Sequence, residues 1–285
     1  MGIDFNALRA LSERTPAKRL VISGPHDPEA LCAVQDARDK GRVTATALGR
    51  ELSPWETVAV RDRVDAAVPE ARAEAFHRVK RGDADVWMDT GPLDGGFFSL
   101  LGPTAEKGRV LSHATVRAAP GAGRLMILTD TLIHESPGIR EKIGIAENVI
   151  RLARALGIRC PRVAALSALE LVNPALTSTL DAAILSKMSD RGQFGDAVIE
   201  GPLAMDNAES AAAARHKGVK SPVPGDVDVY LFPDLASAHL TAQFLSWFGD
   251  ARGGGVLLGS PVPVVVRTLL EPPSSWPVNL YLGLL

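Results

Sequence analysis

From Arg19 onward, short runs of β-branched and aliphatic residues alternate with longer segments in which apolar residues recur at helical spacing. Within 27–40, for example, Ala30, Leu31 and Val34 share one helical face. The elements predicted in this first part are strands over 19–23, 43–48 and 85–88 and helices over 27–40 and 69–81. Such alternation is typical of a parallel sheet covered by helices.

The same alternation is clearest after Arg124. Pro137 favours the start of a long helix, which Gly157 is placed to end. Asp206 is predicted to cap a short helix, with Glu209 three residues later. The longer elements predicted in this part are strands over 125–129, 162–166, 197–200, 227–232, 256–258 and 262–266 and helices over 137–157, 175–188 and 235–248.

The length of 285 residues exceeds the usual size of one domain, so we expect an α/β protein with two lobes and mostly parallel sheets. The first lobe is expected to comprise 1–130 plus 262–285, and the second 131–261. A cleft between the lobes is the default ligand site. In the glycine-rich segment 90–108, Phe97 and Phe98 are expected to pack in a core.

Charge and cysteine content exclude several classes of protein. The 31 basic and 33 acidic residues nearly cancel, which argues against a nucleic-acid partner. Cys32 and Cys160 are too few for a disulfide framework or a paired-thiol zinc site and fit a reducing cytoplasm. Without a signal-like start or a run of roughly 20 apolar residues, we expect a soluble, cytoplasmic protein without membrane association.

Motifs for bound cofactors and metals are absent from the sequence. Gly121-Ala122-Gly123 precedes a strand and lacks a third glycine, whereas Gly253-Gly254-Gly255 lacks the Lys-Ser/Thr of a P-loop and predicts a flexible turn. Asp226 and Asp228 have a spacing that suits a hard cation, although capping of backbone groups is commoner in such turns. Ser112-His113 cannot form a direct relay, because neighbours on a strand face opposite sides. We expect no bound metal or cofactor.

A series of segments does carry a family pattern. In chain order they are Ser23 to Arg38, Leu111 to Val116 (LSHATV), Thr129-Asp130, Asn148, Gly157 to Glu170 (GIRCPRVAALSALE), Glu200 to Ala208 (EGPLAMDNA), His216 to Gly218 and Ser221 to Leu235 (SPVPGDVDVYLFPDL). Together they resemble the phosphate acetyltransferase and phosphate butyryltransferase family over nearly the whole chain. Singly they are much less informative than in this order.

The resemblance implies two α/β/α lobes of the isocitrate-dehydrogenase-like type, an interlobe cleft and a homodimer. It also implies reversible transfer of an acetyl, butyryl or related acyl group between coenzyme A and phosphate. In that reaction the thiol loses its proton and attacks an acyl phosphate, while cations and N–H donors hold the leaving phosphate. Coenzyme A or acyl-CoA is then a substrate, not a bound cofactor, and no metal is required.

The sequence departs from the family pattern at four places. Asp89 stands where relatives have lysine, Ser237-Ala238-His239 replaces Ala-Gly-Asn, and Gln243 replaces a lysine. Thr268-Leu269 replaces the Ser-Arg pair that ends the final strand. Arg267 shares a strand face with the missing arginine, roughly 6 to 7 Å away, and is either its replacement or a solvent-facing side chain.

The resemblance and the departures together define the expected substrate contacts, which are Ser112, His113, Arg124, Thr129, Asp130, Lys217, Asp226, Arg267 and Thr268. The three cations among them would supply positive charge, although surface roles for Arg124 and Lys217 are the alternative, and no general base is assigned. We expect a phosphate acyltransferase with an altered phosphate pocket. The alternative is a catalytically silent descendant that binds coenzyme A, another ligand or a partner protein. Metal-dependent oxidation of a hydroxy acid is a remote third, since no convincing aspartate cluster is present.

Overall fold

The computed structural model describes residues 4–24, 27–49, 62–64, 68–101, 109–119, 124–249, 252–269 and 271–285. The chain forms two compact units. The terminal unit comprises Phe5–Arg109 with Arg252–Leu285, and the central unit comprises Met1–Asp4 with Val110–Ala251. The expected division at residues 130 and 262 differs from these bounds, because the strands on either side of residue 120 belong to the sheet of the central unit.

The helices and strands follow in chain order. The first group is α1 (Phe5–Arg14), β1 (Lys18–Ser23), α2 (Pro28–Asp39), β2 (Val43–Leu48), β3 (Asp62–Val64), α3 (Val68–Arg81), β4 (Val86–Asp89) and α4 (Gly95–Leu101). The middle group is β5 (Ser112–Ala118), β6 (Leu125–Thr129), α5 (Ile139–Ala155), β7 (Arg162–Leu166), α6 (Thr177–Asp190), β8 (Val198–Leu203), α7 (Met205–Glu209), α8 (Ala211–His216), β9 (Val229–Leu231) and α9 (Leu235–Phe248). The last group is β10 (Gly253–Leu258), β11 (Val264–Val265), a 3-10 turn (Pro273–Ser275) and α10 (Trp276–Leu284).

The terminal unit is built on a parallel sheet in the order β11-β4-β1-β2-β3. Alternate residues of its strands face two different layers, as the period of two requires. Leu20 and Ile22 pack with α2 and α10 on one face, whereas Trp87 contacts Phe97 of α4 on the other, at 5.3 Å between ring centroids. Both faces are therefore buried, which explains the nearly continuous apolar runs.

The three glycines of β10 correct one prediction. They form the first half of a strand instead of a flexible turn. A Cβ atom on Gly254 would collide with Oδ1 of Asn279 in α10, so only glycine allows the helix to approach the strand here. The same Oδ1 accepts a hydrogen bond from the Gly255 N–H at 3.0 Å. The glycines thus serve packing.

The central unit contains a sheet in the order β5-β6-β9-β7-β8, in which only β5 is antiparallel to its neighbour. Helix α5 packs against β5, β6 and β9, and α6 packs against β7 and β8. Together with the terminal sheet this confirms the predicted α/β class with mostly parallel strands. One detail differs: Ala204 occupies the N-cap position of α7 without a side-chain hydrogen bond, and Asp206 lies in the first turn instead of at the cap.

The direction of β5 determines which of its residues lie beside the carboxyl ends of the other strands. Because β5 runs antiparallel to β6, its first residues lie beside the last residues of β6, and Ala114 is paired with Thr129. The carboxyl ends of β6, β9, β7 and β8 meet at this same edge, since these strands are parallel. In open α/β sheets, ligands bind at the carboxyl ends of the strands.

Candidate active site

Four of the expected site residues meet at the carboxyl edge of the central sheet. Ser112 and His113 begin β5, and Thr129 and Asp130 come at the end of β6. All four are buried. The Thr129 hydroxyl donates to the His113 carbonyl oxygen at 3.2 Å, so side-chain and backbone contacts join the two strand ends. The structure therefore brings these predicted residues together.

Asp130 is the most heavily hydrogen-bonded of these side chains. Its carboxylate accepts backbone N–H groups from His113, Leu132 and Ile133 at 3.1 Å each, and from His134 at 3.3 Å. The Nδ1 atom of the His134 ring lies 2.8 Å from Oδ2 of Asp130, the same oxygen that accepts the His134 backbone N–H. Asp130 thereby fixes both the start of β5 and the turn after β6.

His113 and Ser112 are held by further side-chain contacts. The Nδ1 atom of His113 lies 2.7 Å from the Thr131 hydroxyl, which in turn is 2.9 Å from the Thr115 hydroxyl. Asn148 of α5 donates from Nδ2 to the Ser112 hydroxyl at 2.9 Å. Each of these groups is buried among the others. The cluster is thus a preorganised polar network, in which packing and hydrogen bonds fix the rotamers.

Lys217 lies near the ends of β7 and β8. Its Nζ atom is 2.9 Å from Asp206 and 3.4 Å from Glu170, which follow β8 and β7 respectively. The hydrogen bond with Asp206 raises the pKa of Lys217, and the same bond lowers the pKa of Asp206. The ammonium group is therefore charged, but two carboxylates already surround it.

Arg124 and Asp226 lie at the opposite edge of the central sheet. Arg124 precedes β6, about 20 Å along the extended chain from Asp130, and its Nη1 atom donates to the Val227 carbonyl oxygen at 2.5 Å. Asp226 precedes β9 and forms an ion pair with Arg162. Strand direction thus separates these two expected residues from the cluster around Asp130.

Arg267 and Thr268 belong to the terminal unit, after β11. The Arg267 guanidinium donates to the Glu271 carbonyl oxygen at 3.0 Å, lies 3.6 Å from Asp27 and stacks 5.9 Å above the Trp276 ring. Thr268 is buried, and its N–H donates to the Glu271 carboxylate at 3.2 Å. Arg267 is therefore a partly buried cation held by these contacts, and it differs from the solvent-facing side chain that was the alternative.

Two departures from the family pattern have clear structural outcomes. Leu269, in place of arginine, is fully exposed. Asp89, in place of lysine, is buried and accepts hydrogen bonds from the Arg72 guanidinium at 2.9 to 3.2 Å and from Ser23 at 2.5 Å. Burial raises the pKa of Asp89 despite these hydrogen bonds. Arg72 also binds Asp94 at 3.0 Å, so the reversed charge is compensated locally.

The sequence reasoning missed the polar groups that support this edge. Lys142 of α5 and Asp181 of α6 form a buried ion pair at 2.7 Å. They line a cavity of about 10 Å³ beside the ends of β7 and β9, which has room for roughly one water molecule. His134 was also missed, although its spacing of four residues from Asp130 is visible in the sequence.

A larger cavity of about 540 Å³ lies over the central sheet between α7 and α9. Its lining is mostly apolar, with Met126, Met205 and Phe244 among its walls. The Tyr230 hydroxyl donates to Glu209 there, and burial raises the pKa of Tyr230 so that the phenol keeps its proton. This cavity is on a sheet face and does not include the cluster around Asp130.

The described residues contain neither a metal-binding cluster nor a membrane-spanning helix. No group of three His, Cys, Asp or Glu residues in the described ranges is arranged to hold a metal ion. Asp228 instead accepts the Arg162 N–H at 2.9 Å, in line with the backbone-capping interpretation. None of the helices in the described part of the chain has the length and apolar character needed to cross a bilayer.

Comparison with known proteins gives one consistent result. Residues 98–268 match the family model described as phosphate acetyl/butaryl transferase. The chain is 34% identical to a phosphate butyryltransferase of Clostridium beijerinckii, covering 94% of this chain and 92% of that protein. It is 30% identical to a phosphate acetyltransferase of Thermotoga maritima, covering 90% of each.

A solved structure agrees with these sequence matches. The crystal structure of a branched-chain phosphotransacylase from Enterococcus faecalis V583 superimposes with a TM-score of 0.80 at 26% identity, covering 93% of this chain and 97% of that one. The similarity extends over both units. With a family match over more than half of its length, this chain belongs to the phosphate acetyl/butyryl transferase family.

Proposed function

We propose that this protein is a phosphate acyltransferase that moves a short acyl group between coenzyme A and inorganic phosphate. Membership of the family over most of the chain carries this proposal. The buried polar network at the carboxyl edge supports it, because ligands of open α/β sheets bind at the carboxyl ends of the strands. Both the sequence relatives and the structural neighbour bear the names of acyl-transferring enzymes, which favours catalysis over the silent alternative.

We propose seven of the nine expected residues as substrate contacts, five in the central unit and two in the terminal unit. Ser112, His113, Thr129 and Asp130 supply the polar edge, with Lys217 as the nearby cation, while Arg267 and Thr268 are the contacts proposed in the terminal unit. Arg124 and Asp226 lie at the far edge of the central sheet and are outside this proposal. Two carboxylates lie within 3.4 Å of the Lys217 ammonium group in the central unit, so a phosphate bound there would compete with them, which agrees with an altered phosphate pocket.

The proposed chemistry requires no resident metal or cofactor, since coenzyme A enters and leaves as a substrate. The nearly balanced charge argues against a nucleic-acid partner. We place the reaction in the cytoplasm, because Cys32 and Cys160 are free, exposed thiols and a reducing compartment keeps them so.

Loss of the coenzyme A thiol tests the proposed activity. Purified protein is mixed with coenzyme A and acetyl phosphate or butyryl phosphate, and the remaining thiol is titrated over time. We expect the thiol to disappear as thioester forms, with release of one phosphate per thiol consumed. The proposal would be contradicted if protein that unfolds cooperatively consumes the thiol no faster than the enzyme-free blank with either acyl phosphate.

We further propose that the protein forms a homodimer through α9. Leu240, Phe244, Trp247 and Phe248 of this helix are 64%, 62%, 83% and 78% exposed. Such a concentration of large apolar side chains on one helix marks an interaction surface. The adjoining cavity of about 540 Å³ offers an apolar recess for a partner's side chains. A second copy suits this surface because a two-fold axis pairs the same patch with itself.

The mass in solution tests this assembly. We expect light scattering to give twice the chain mass of 30.2 kDa for the wild type. The double substitution Trp247→Glu and Phe248→Glu should halve it, because charges on the patch oppose its burial. Leu171→Glu alters another exposed apolar residue, after β7, and should remain dimeric. A monomeric wild type or a dimeric double variant would exclude α9 as the interface.

A further inference from the structure

We propose that His134 is the general base that removes the thiol proton of coenzyme A, and that Asp130 is the positioning residue that orients it. The proposal rests on the proposed acyltransferase function. A thiol with an ordinary pKa of about 8.5 is mostly protonated at neutral pH. Attack on an acyl phosphate therefore needs a group that accepts this proton, and a histidine is suited to that task at neutral pH.

The contact between His134 and Asp130 defines the orientation of the ring. The Asp130 carboxylate accepts four backbone N–H groups, so it acts here as an acceptor only. Nδ1 of His134, 2.8 Å away, must then be the protonated nitrogen. The other nitrogen, Nε2, is left with the lone pair that a base requires. This arrangement of a buried carboxylate behind a histidine fixes both the tautomer and the direction of the ring.

His134 also has the exposure that the task requires. Its side chain is 17% exposed while that of Asp130 is 2% exposed, so the pair has a buried and an accessible end. Within the described part of the chain, Nε2 of His134 has no hydrogen-bond partner. His113 is fully buried behind Thr131, which makes it a poor choice for contact with a substrate. Among the residues that the structure describes, His239 bonds through Nδ1 to one backbone carbonyl oxygen, at 3.3 Å, and no carboxylate there orients its ring.

The step balances without another reactant. The sulfur–hydrogen bond breaks as Nε2 of His134 takes the proton, and the sulfur forms a bond to the acyl carbon. The bond between that carbon and the bridging phosphate oxygen breaks, and its electron pair stays on the phosphate. The imidazolium then passes its proton to this phosphate, so that hydrogen phosphate leaves and His134 is neutral again. In the reverse direction the same imidazolium protonates the departing thiolate.

His134→Asn is the most direct variant. The asparagine amide can still donate to Asp130 from nearly the position of Nδ1, but it cannot accept a proton. We expect kcat to fall by about 10² to 10⁴, while the KM for coenzyme A changes by less than about threefold. His77→Asn, on the exposed side of α3, is the matched control and should keep wild-type kinetics.

Imidazole rescue separates catalysis from a structural role. His134→Ala should lose activity similarly and regain at least about tenfold on addition of imidazole, since a free base can enter the vacated space. An unaffected kcat in His134→Asn, or a folded His134→Ala that imidazole does not rescue, would overturn the assignment alone. Absence of turnover in the wild type would overturn the proposed function, and this inference with it.

Discussion

Replacing Arg72 by methionine should lower the free energy of unfolding by about 3 to 5 kcal/mol. The guanidinium is only 5% exposed and supplies three hydrogen bonds to the buried Asp89 carboxylate. Methionine fills a similar volume but leaves that carboxylate buried without its cation. Arg72 also bonds to the Pro92 carbonyl oxygen at 2.6 Å and to Asp94 at 3.0 Å, so the segment after β4 loses its anchor as well.

Urea unfolding measures this loss, and the chain offers two controls. Arg19→Met removes the exposed ion pair with Asp85 in the same sheet and should have a much smaller effect. Combining Arg72→Met with Asp89→Leu should recover most of the stability, because neither charge is then left alone. If Arg72→Met is no less stable than Arg19→Met, the buried pair does not stabilise the terminal unit.

Asp130→Asn should cost the protein both stability and activity. The asparagine amide places an NH₂ group where a carboxylate oxygen accepted hydrogen bonds. At least one buried backbone N–H of the turn therefore loses its acceptor. We expect the free energy of unfolding to fall by about 3 kcal/mol, since hydrogen bonds to charged groups are the stronger ones. The rate should fall by about 10² or more, because His134 loses its orientation. Urea unfolding and initial rates, taken well below the melting transition, measure the two effects.

A matched substitution guards against a general effect of removing negative charge. Asp190→Asn, on the exposed end of α6, breaks only a surface ion pair with Lys187 and should leave both properties nearly unchanged. If Asp130→Asn has the same stability and rate as Asp190→Asn, the hydrogen bonds around Asp130 neither stabilise this edge of the sheet nor position a catalytic group.

Much of the fold is visible in the sequence because local signals and tertiary structure agree. The predicted strand 125–129 and helix 235–248 have the bounds of β6 and α9, where apolar period and flanking turns coincide. The glycines of β10 break this rule, since their strand depends on the close approach of α10. Helix α4 and strand β3 have only seven and three residues and were not predicted, because such short segments carry little periodic signal.

The candidate site was less predictable, for a reason of geometry. Residue type suggested polar contacts, but only strand direction shows that Ser112 and Asp130 meet while Arg124 lies at the other edge. Compensation of Asp89 by Arg72 requires a helix to pack over a strand, which no local pattern reveals. His134 lies in an irregular turn, where a spacing of four residues does not place two side chains on one helix face. Only the structure shows that Asp130 contacts the ring.

Phosphate-dependent release of thiol from butyryl-CoA is the most direct measurement of the proposed activity. Purified protein is incubated with butyryl-CoA and either phosphate or sulfate at equal ionic strength, and thiol formation is followed together with the phosphorus NMR signal of butyryl phosphate. We expect thiol and acyl phosphate to appear in equal amounts with phosphate and neither to appear with sulfate. Thiol release of the same rate in both salts, or no release in either, would contradict acyl transfer to phosphate.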